Sequence, residues 1–280
     1  MKYAITGATG KFAHAAITEL LTTVPAKDLV LIARNTEKAK ELYPDLEVRF
    51  GDYDDEASLV QALTGVDKLL FISSLPGGAL PRIKQHENVI VAAKKAGVPY
   101  IAYTSFAHAD QATSALADDH KATEKMLIDS GLDYSFLRNN WYLENEASNF
   151  TGNDFLEASN GHAVGWALEA EYAQGAAKVL QLETPKKIYE FSGPAHTYAD
   201  MAQVLTKIFA KEIKPVPVSV SAYKKALTDA GLPEATIMIA TLSQEVIAAG
   251  DLEHTTRDLP DVLGHELTPF AEAIKQLSAH

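Results

Sequence analysis

The stretch Lys2-Tyr3-Ala4-Ile5-Thr6-Gly7-Ala8-Thr9-Gly10-Lys11-Phe12-Ala13 decides the fold. It reads as a strand, a Gly-rich turn and the start of a helix. Gly7 permits the tight turn, Gly10 lets backbone amides approach a pyrophosphate with no Cβ in the way, and the helix N-terminus adds partial positive charge. Ala13 takes the third small position, where close helix-to-strand contact is needed. A Walker loop is excluded, because Gly10-Lys11 is followed by Phe12 and lacks the required spacing and hydroxyl.

Outward from this turn, short apolar runs alternate with helix-period stretches. Lys2 to Thr6, Leu29 to Ala33, Glu47 to Phe50, Lys68 to Ser73, Pro99 to Thr104 and Asp133 to Leu137 read as strands. Lys11 to Thr23, Thr36 to Tyr43, Ala57 to Leu63, Pro81 to Ala96 and Asp118 to Ser130 read as helices between them. Such alternation predicts an α/β fold, a Rossmann-type doubly wound parallel sheet covered on both faces. After about Asn145 the pattern loosens. Asn149 to Asn160 reads as loop, followed by a helix at Glu169 to Leu182, a strand at Lys187 to Ser192, a helix at Tyr198 to Ala210, and the Pro-marked stretch Lys214 to Val218. Helices are expected within Ala222 to Ala230 and Glu234 to Ala249. The expected division is an NAD(P)-binding domain over residues 1–146 and a smaller C-terminal α/β lobe over residues 147–280, some segments of which complete the sheet. In open α/β sheets the ligand lies outside the carboxyl ends of the strands, so the later segments are expected to wall that crevice.

The 280 residues carry 25 basic and 37 acidic side chains, a formal net charge of -12, and no cysteine. Disulfides, thiolate nucleophiles and thiolate metal sites are thereby excluded. The acidic balance opposes broad nucleic-acid binding, yet one local Arg with helix-end amides still suffices for a small phosphate. No apolar run reaches bilayer length, and Met1-Lys2-Tyr3 leads directly into strand-like sequence, so a cytoplasmic protein without a membrane partner is expected. The nine His residues show no ligand spacing, since His86-Glu87 lacks a second His and His265-Glu266 runs into Thr268-Pro269; no metal is expected. No Gly-x-Ser-x-Gly elbow is present.

The second strand ends Leu31-Ile32-Ala33-Arg34-Asn35, where an NAD-preferring protein would place a carboxylate against the ribose hydroxyls. Arg34 there favours a 2′-phosphate, hence NADP(H), against the alternative of a solvated loop Arg. Asp52, after the third strand, reads equally as an adenine contact or as a cap of the helix beginning near Asp55.

Thr6-Gly7-Ala8-Thr9-Gly10, Arg34-Asn35, Gly51-Asp52-Tyr53, Leu70 to Ser74, Ile101 to Ser105, His108-Ala109-Asp110, Leu116 to Leu127 and Leu137 to Tyr142 together resemble the NmrA-like atypical short-chain dehydrogenase/reductases. Within them the chain is most similar to the bacterial type 2 NADPH-dependent quinone oxidoreductases. The resemblance is densest over residues 1–146. It implies a Rossmann fold with a small C-terminal lobe, NADP(H) binding, and hydride transfer to a quinone without flavin or metal. It also implies that Gly7, Ala8, Thr9, Gly10, Lys11 and Phe12 hold the pyrophosphate and Arg34 the 2′-phosphate. By the same resemblance Ile72, Ser73, Ser74, Leu75 and Pro76 pass under the nicotinamide ribose, Arg138, Asn139, Asn140, Trp141 and Tyr142 line the nicotinamide and substrate side, and Tyr172 stands close to the cofactor.

Ordinary short-chain dehydrogenases use a Tyr and a Lys four residues later; His120 and Glu124 stand at the nearest counterparts here. Alcohol chemistry by that pair is therefore not expected. A quinone is already electrophilic and its reduced anion is delocalised, so positioning plus a few donors suffices. The candidates are Asn139, Asn140, Tyr103, Tyr142, His108 and His120, with the imidazoles able to give a proton near neutral pH. Phe106, Trp141 and Tyr142 are candidates to stack on a flat ring. Against these stand plain structural roles: His120 bonding Glu124, Trp141 in the core, Asn140 capping the next helix. The alternative function is a non-catalytic NADP(H)-binding redox sensor that holds a protein partner. A homodimer, the commonest soluble assembly, is compatible with the sequence.

Overall fold

A computed structural model describes residues 1–75 and 79–279. Pro76 therefore lies outside the described residues. The chain runs β1 (Tyr3–Thr6), α1 (Lys11–Leu20), β2 (Leu29–Ala33), α2 (Thr36–Leu42), β3 (Glu47–Phe50), α3 (Glu56–Leu63), β4 (Lys68–Phe71), α4 (Arg82–Ala96), β5 (Tyr100–Phe106), α5 (Ala115–Ser130) and β6 (Asp133–Asn139). Then follow β7 (Phe155–Glu157), α6 (Glu169–Gln181), β8 (Ile188–Phe191), α7 (Tyr198–Phe209), β9 (Pro215–Pro217), α8 (Val220–Asp229), α9 (Glu234–Ala248), α10 (Asp258–Leu263) and α11 (Phe270–Leu277).

Seven strands pair in the order β3-β2-β1-β4-β5-β6-β8, every pair parallel. This is the doubly wound sheet expected from the alternation. β2, β4 and β5 are apolar on both sides and buried because helices cover both faces. One face packs on α1 and α6 through Ala13, Ala16, Ile17, Ala173 and Ala176; small side chains bring these two helices close to each other and to the sheet. The other face packs on α3, α4 and α5. The order reverses between β1 and β4, so the crevice that opens there lies beside the Gly7 to Gly10 turn.

β8 comes from the second half of the chain and completes the sheet beside β6, with Phe136, Leu137, Arg138 and Asn139 opposite Ile188, Tyr189, Glu190 and Phe191. The remaining C-terminal elements gather around a separate apolar cluster that includes Leu143, Trp166, Tyr198 and Ile274. The stretch expected as loop from Asn149 to Asn160 contains a strand, β7, which pairs in parallel with β9 in the Pro-marked stretch. Its partner lies 60 residues away and Pro215 and Pro217 give no N–H to the ladder, so neither strand carries a local pairing signal. α1 stops at Leu20 rather than Thr23, because the Thr22 hydroxyl folds back onto the Glu19 carbonyl at 2.7 Å.

Candidate dinucleotide and acceptor site

Gly7 sits at φ +64°, the left-handed conformation its lack of a Cβ allows. Its carbonyl accepts the Gly10 amide at 2.9 Å, and a Cβ on Gly10 would come within 3.3 Å of that same oxygen. The turn is thus shaped for backbone, with Ala8 buried beneath it and held to Ile32 O at 3.3 Å. Gly10 is the N-cap of α1 and supplies no side chain, and no acidic residue stands in the first turn. The leading amides of α1 are therefore uncapped, the arrangement an anionic phosphate completes. Two carboxyls stand nearby. Burial first, and then Glu144, push the carboxyl of Glu169 up beside the Phe12 amide, with Lys11 opposing; Glu144 is raised chiefly by burial as well.

Arg34 projects from the tip of β2, exposed, with no ion pair among the described residues. Its neighbour Asn35 caps α2 by accepting the Lys38 amide at 2.9 Å. The helix that follows β3 is capped by Asp55, which accepts the Ala57 and Ser58 amides, so the reading of Asp52 as that cap is corrected. Asp52 instead accepts the Asp54 amide at 3.0 Å and remains half-buried at the turn's edge. Gly51 is obligatory, since a Cβ would meet Ile32 Cγ2 at 2.5 Å.

The strip Ile72 to Leu75 leaves β4 at the carboxyl end of the sheet. Ile72 is held at both backbone ends: its amide donates to Thr6 Oγ1 at 3.0 Å and its carbonyl lies 2.6 Å from the Tyr53 hydroxyl. The Ser73 amide donates to Thr104 Oγ1 at 2.9 Å. Leu75 is fully out in solvent at 85% exposure.

At and beyond the end of β6, several of the expected site residues are engaged within the protein. Arg138 is 5% exposed and its guanidinium is consumed: it pairs bidentately with Glu124 at 2.7 and 2.9 Å, reaches Glu190 at 2.8 Å, and bonds Asp110. Burial disfavours its charge, but Glu124 and Glu190 outweigh that and raise its pKa further. Four of its five N–H groups are thus engaged within the protein. Asn140 is spent as well, because both Nδ2 protons go to the Leu252 and His254 carbonyls and Oδ1 accepts the Trp141 amide. Tyr172 is wholly buried with its hydroxyl on Gly165 O at 3.1 Å; it reaches the crevice only by backing the ring of Tyr142 at 5.1 Å.

His120 does not bond Glu124. It is buried, with Nδ1 2.8 Å from the Tyr103 hydroxyl and Nε2 3.0 Å from Arg82 Nη2. Burial, then Arg82, then His86 hold its imidazole well below the usual range, so it carries no proton to give near neutral pH. Burial likewise raises the Tyr103 phenol. The two side chains bond each other in the interior. Phe106 is buried against His120, and His108 turns at φ +43° with its amide on Glu190. Trp141 is half-buried beside Glu146.

Tyr142 is different. Its ring stacks on Phe12 at 6.1 Å, and its hydroxyl accepts from Asn139 Nδ2 at 2.9 Å while its own proton has no acceptor among the described residues. Burial raises its pKa, so the proton stays on across the working range. Asn139 Oδ1 beside it is a buried acceptor without a partner. The residues the sequence reading missed are Arg82 and His86 of α4, which frame Ser74. Their i, i+4 spacing puts them on one helix face, a signal that a search for metal ligands passes over.

This geometry, a Gly-turn phosphate cradle at the reversal point of a parallel sheet, defines a dinucleotide-binding protein, and the chain belongs to the NAD(P)H-binding family, whose model matches residues 7–165. It is 41% identical over 98% of its length to quinone oxidoreductase 2 of Escherichia coli K12, covering 98% of that protein. The crystal structure of an NADPH-dependent quinone oxidoreductase from E. coli complexed with NADPH matches 98% of this chain and 99% of that one, at a TM-score of 0.93. The triphenylmethane reductase of Citrobacter sp. complexed with NADP(H) matches at 35% identity and the same TM-score, covering 99% and 100% of the two chains. The NmrA-like resemblance read from the motifs is borne out, and these relatives are named as reductases, which disfavours the sensor alternative. Among the described residues no helix is long and apolar enough to cross a membrane.

Proposed function

We propose that the protein transfers hydride from NADPH to a quinone or similarly planar acceptor. The observation that carries the reading is the N-terminus of α1 over the Gly7 to Gly10 turn, which has no capping side chain and no acidic residue in its own first turn, with Arg34 free of an ion pair among the described residues at the adjoining strand tip. NADPH, when bound, supplies the hydride. The residues present fit it: backbone amides from Gly7 to Phe12 would hold the pyrophosphate, Arg34 would pair with the 2′-phosphate, and Asp52 would border the adenine side. Ile72 to Leu75 support the ribose that carries the nicotinamide. Asn139 and Tyr142 face the acceptor side, where the unpartnered Oδ1 of Asn139 accepts a ligand donor and the free Tyr142 O–H stabilises the anion of the reduced acceptor.

Similarity to the E. coli quinone oxidoreductase supports the acceptor class, and the triphenylmethane reductase extends it to other flat conjugated molecules. The segments after residue 147 that pack over the carboxyl end of β6 form the acceptor wall. A cytoplasmic setting follows from the need for a regenerated pool of NADPH. The test is loss of nicotinamide absorbance with purified protein, NADPH and a panel of benzoquinones and naphthoquinones. Turnover with at least one is expected; tight NADPH binding with no consumption for any acceptor would overturn the reading.

A further inference from the structure

Helix α4 opens with Arg82 although a cation at a helix N-terminus stands against the dipole, and the first turn has no acidic residue to compensate. What holds Arg82 lies across the crevice strip. Its Nε donates to the Ser74 carbonyl at 2.6 Å and its Nη2 to His120 Nε2 at 3.0 Å, with Asp119 3.9 Å away. One turn further along α4, His86 Nε2 accepts the Ser74 amide at 3.0 Å and lies 3.2 Å from the Ser74 hydroxyl. The N–H and C=O of one strip residue are thus gripped by two side chains of a single helix.

Hydrogen-bond logic fixes both imidazoles. A guanidinium only donates, so His120 Nε2 is bare and its proton sits on Nδ1, directed at Tyr103. A backbone amide only donates, so His86 Nε2 is bare too, and Nδ1–H donates to Thr123 Oγ1 at 2.8 Å. Thr123 passes its own proton to the Asp119 carbonyl at 2.6 Å. Two buried neutral imidazoles anchored on α5 and β5 therefore brace the grip from behind. A rigid brace of this kind is costly to build and is wasted on an ordinary solvent loop.

We propose that Arg82 and His86 are positioning residues that clamp the Ser74 peptide and so set the strip on which the dinucleotide rests. The inference rests on the NADPH reading above. Calorimetric NADPH titration of Arg82→Met, His86→Leu and the double variant tests it, alongside nitrogen-15 NMR of the His120 tautomer in protein without ligand. Each single change is expected to raise the Kd for NADPH about tenfold, the loss of one charge-assisted or buried hydrogen bond. The double variant is expected to show the same roughly tenfold loss, not the product, because both side chains act on one peptide. In Arg82→Met, His120 is expected to lose its fixed Nδ1–H tautomer. Arg82→Lys keeps the cation but cannot span both acceptors; it should behave like Arg82→Met and serves if that variant fails to fold. A folded Arg82 variant with wild-type Kd, or a double variant weakened by the product of the singles, overturns the clamp. If the wild-type protein itself fails to bind NADPH, the functional reading falls, and an unfixed His120 tautomer in wild-type protein would separately overturn the brace.

Discussion

Replacing Glu146 with Gln tests how the C-terminal lobe tolerates a buried carboxyl that has no cationic partner among the described residues. Glu146 is 5% exposed and accepts from the Tyr198 hydroxyl at 3.0 Å and Asn149 Nδ2 at 3.1 Å. The indoles of Trp141 and Trp166 stand beside it, short of hydrogen-bonding geometry. Burial outweighs these donors and pushes the carboxyl from an ordinary 4.5 up to about 7. The folded protein therefore holds a proton between those limits that the unfolded chain has already released, so the stabilisation is full below about 4.5 and is lost as pH rises through 7. At about 1.4 kcal/mol per pH unit, the wild-type protein is less stable by about 3 kcal/mol at pH 8 than at low pH on this account alone. Gln stays neutral and keeps an acceptor for Tyr198. Urea unfolding at about pH 5 and pH 8 should show the variant near wild type at the lower pH and about 3 kcal/mol more stable at the higher one, roughly 6 °C in Tm. A difference that does not change with pH, or that favours the wild type at pH 8, would refute the reasoning. It would mean that the surrounding donors hold the carboxylate ionised.

Arg34→Ala should weaken NADPH binding by roughly 1.5 to 3 kcal/mol and leave NADH nearly unchanged, since the side chain has no ion-pair partner among the described residues to lose; equal loss for both cofactors in a titration would remove the 2′-phosphate assignment. Tyr142→Phe should lower kcat by roughly 100-fold with little change in the KM for NADPH, as expected when one proton-bearing donor is removed. An unchanged kcat in steady-state assays would shift the role elsewhere. Arg138→Met leaves the buried Glu124 and the half-buried Glu190 without this counter-ion and should cost roughly 3 to 5 kcal/mol in urea unfolding; less than about 1 kcal/mol would show that the carboxylates relax to water.

The sheet was legible because β1, β2, β4 and β5 are largely apolar runs bounded by turn residues and followed by helices, and because β3 and β6 fall where that alternation places the next strand. β8 was legible for the same reason. β7 was not: Phe155 to Glu157 is three residues long, and only its partner far downstream makes it a strand. α10 carries Pro260 inside six residues, and α11 begins after Pro269, the one signal there that was readable. At the site, Gly7 to Phe12 and Arg34 could be placed because local turn chemistry dictates them. The internal bonds of Arg138, Asn140 and Tyr172 were not legible, for the opposite reason. Their partners, Glu190, Leu252 and Gly165, are remote from them or hidden in an irregular loop, and nothing local announces that their hydrogen bonds are already taken. The role of His86 and Arg82 was not legible because the partner they share is a peptide group.

The linkage of Arg138 and Asn140 to Glu190, Leu252 and His254 has a consequence for synthesis on the ribosome. The turn at Gly7 and the strands that flank it emerge first, and Glu124 can meet Arg138 early. Glu190 arrives some fifty residues after Arg138, and the carbonyls that hold Asn140 come later still. Until then those bonds of Arg138 and Asn140 cannot form, and α6, which packs on α1 beside the phosphate turn, also arrives only after β6. The end of β6 is thus among the last parts of the sheet to be secured, although its strand is made in the first half of the chain.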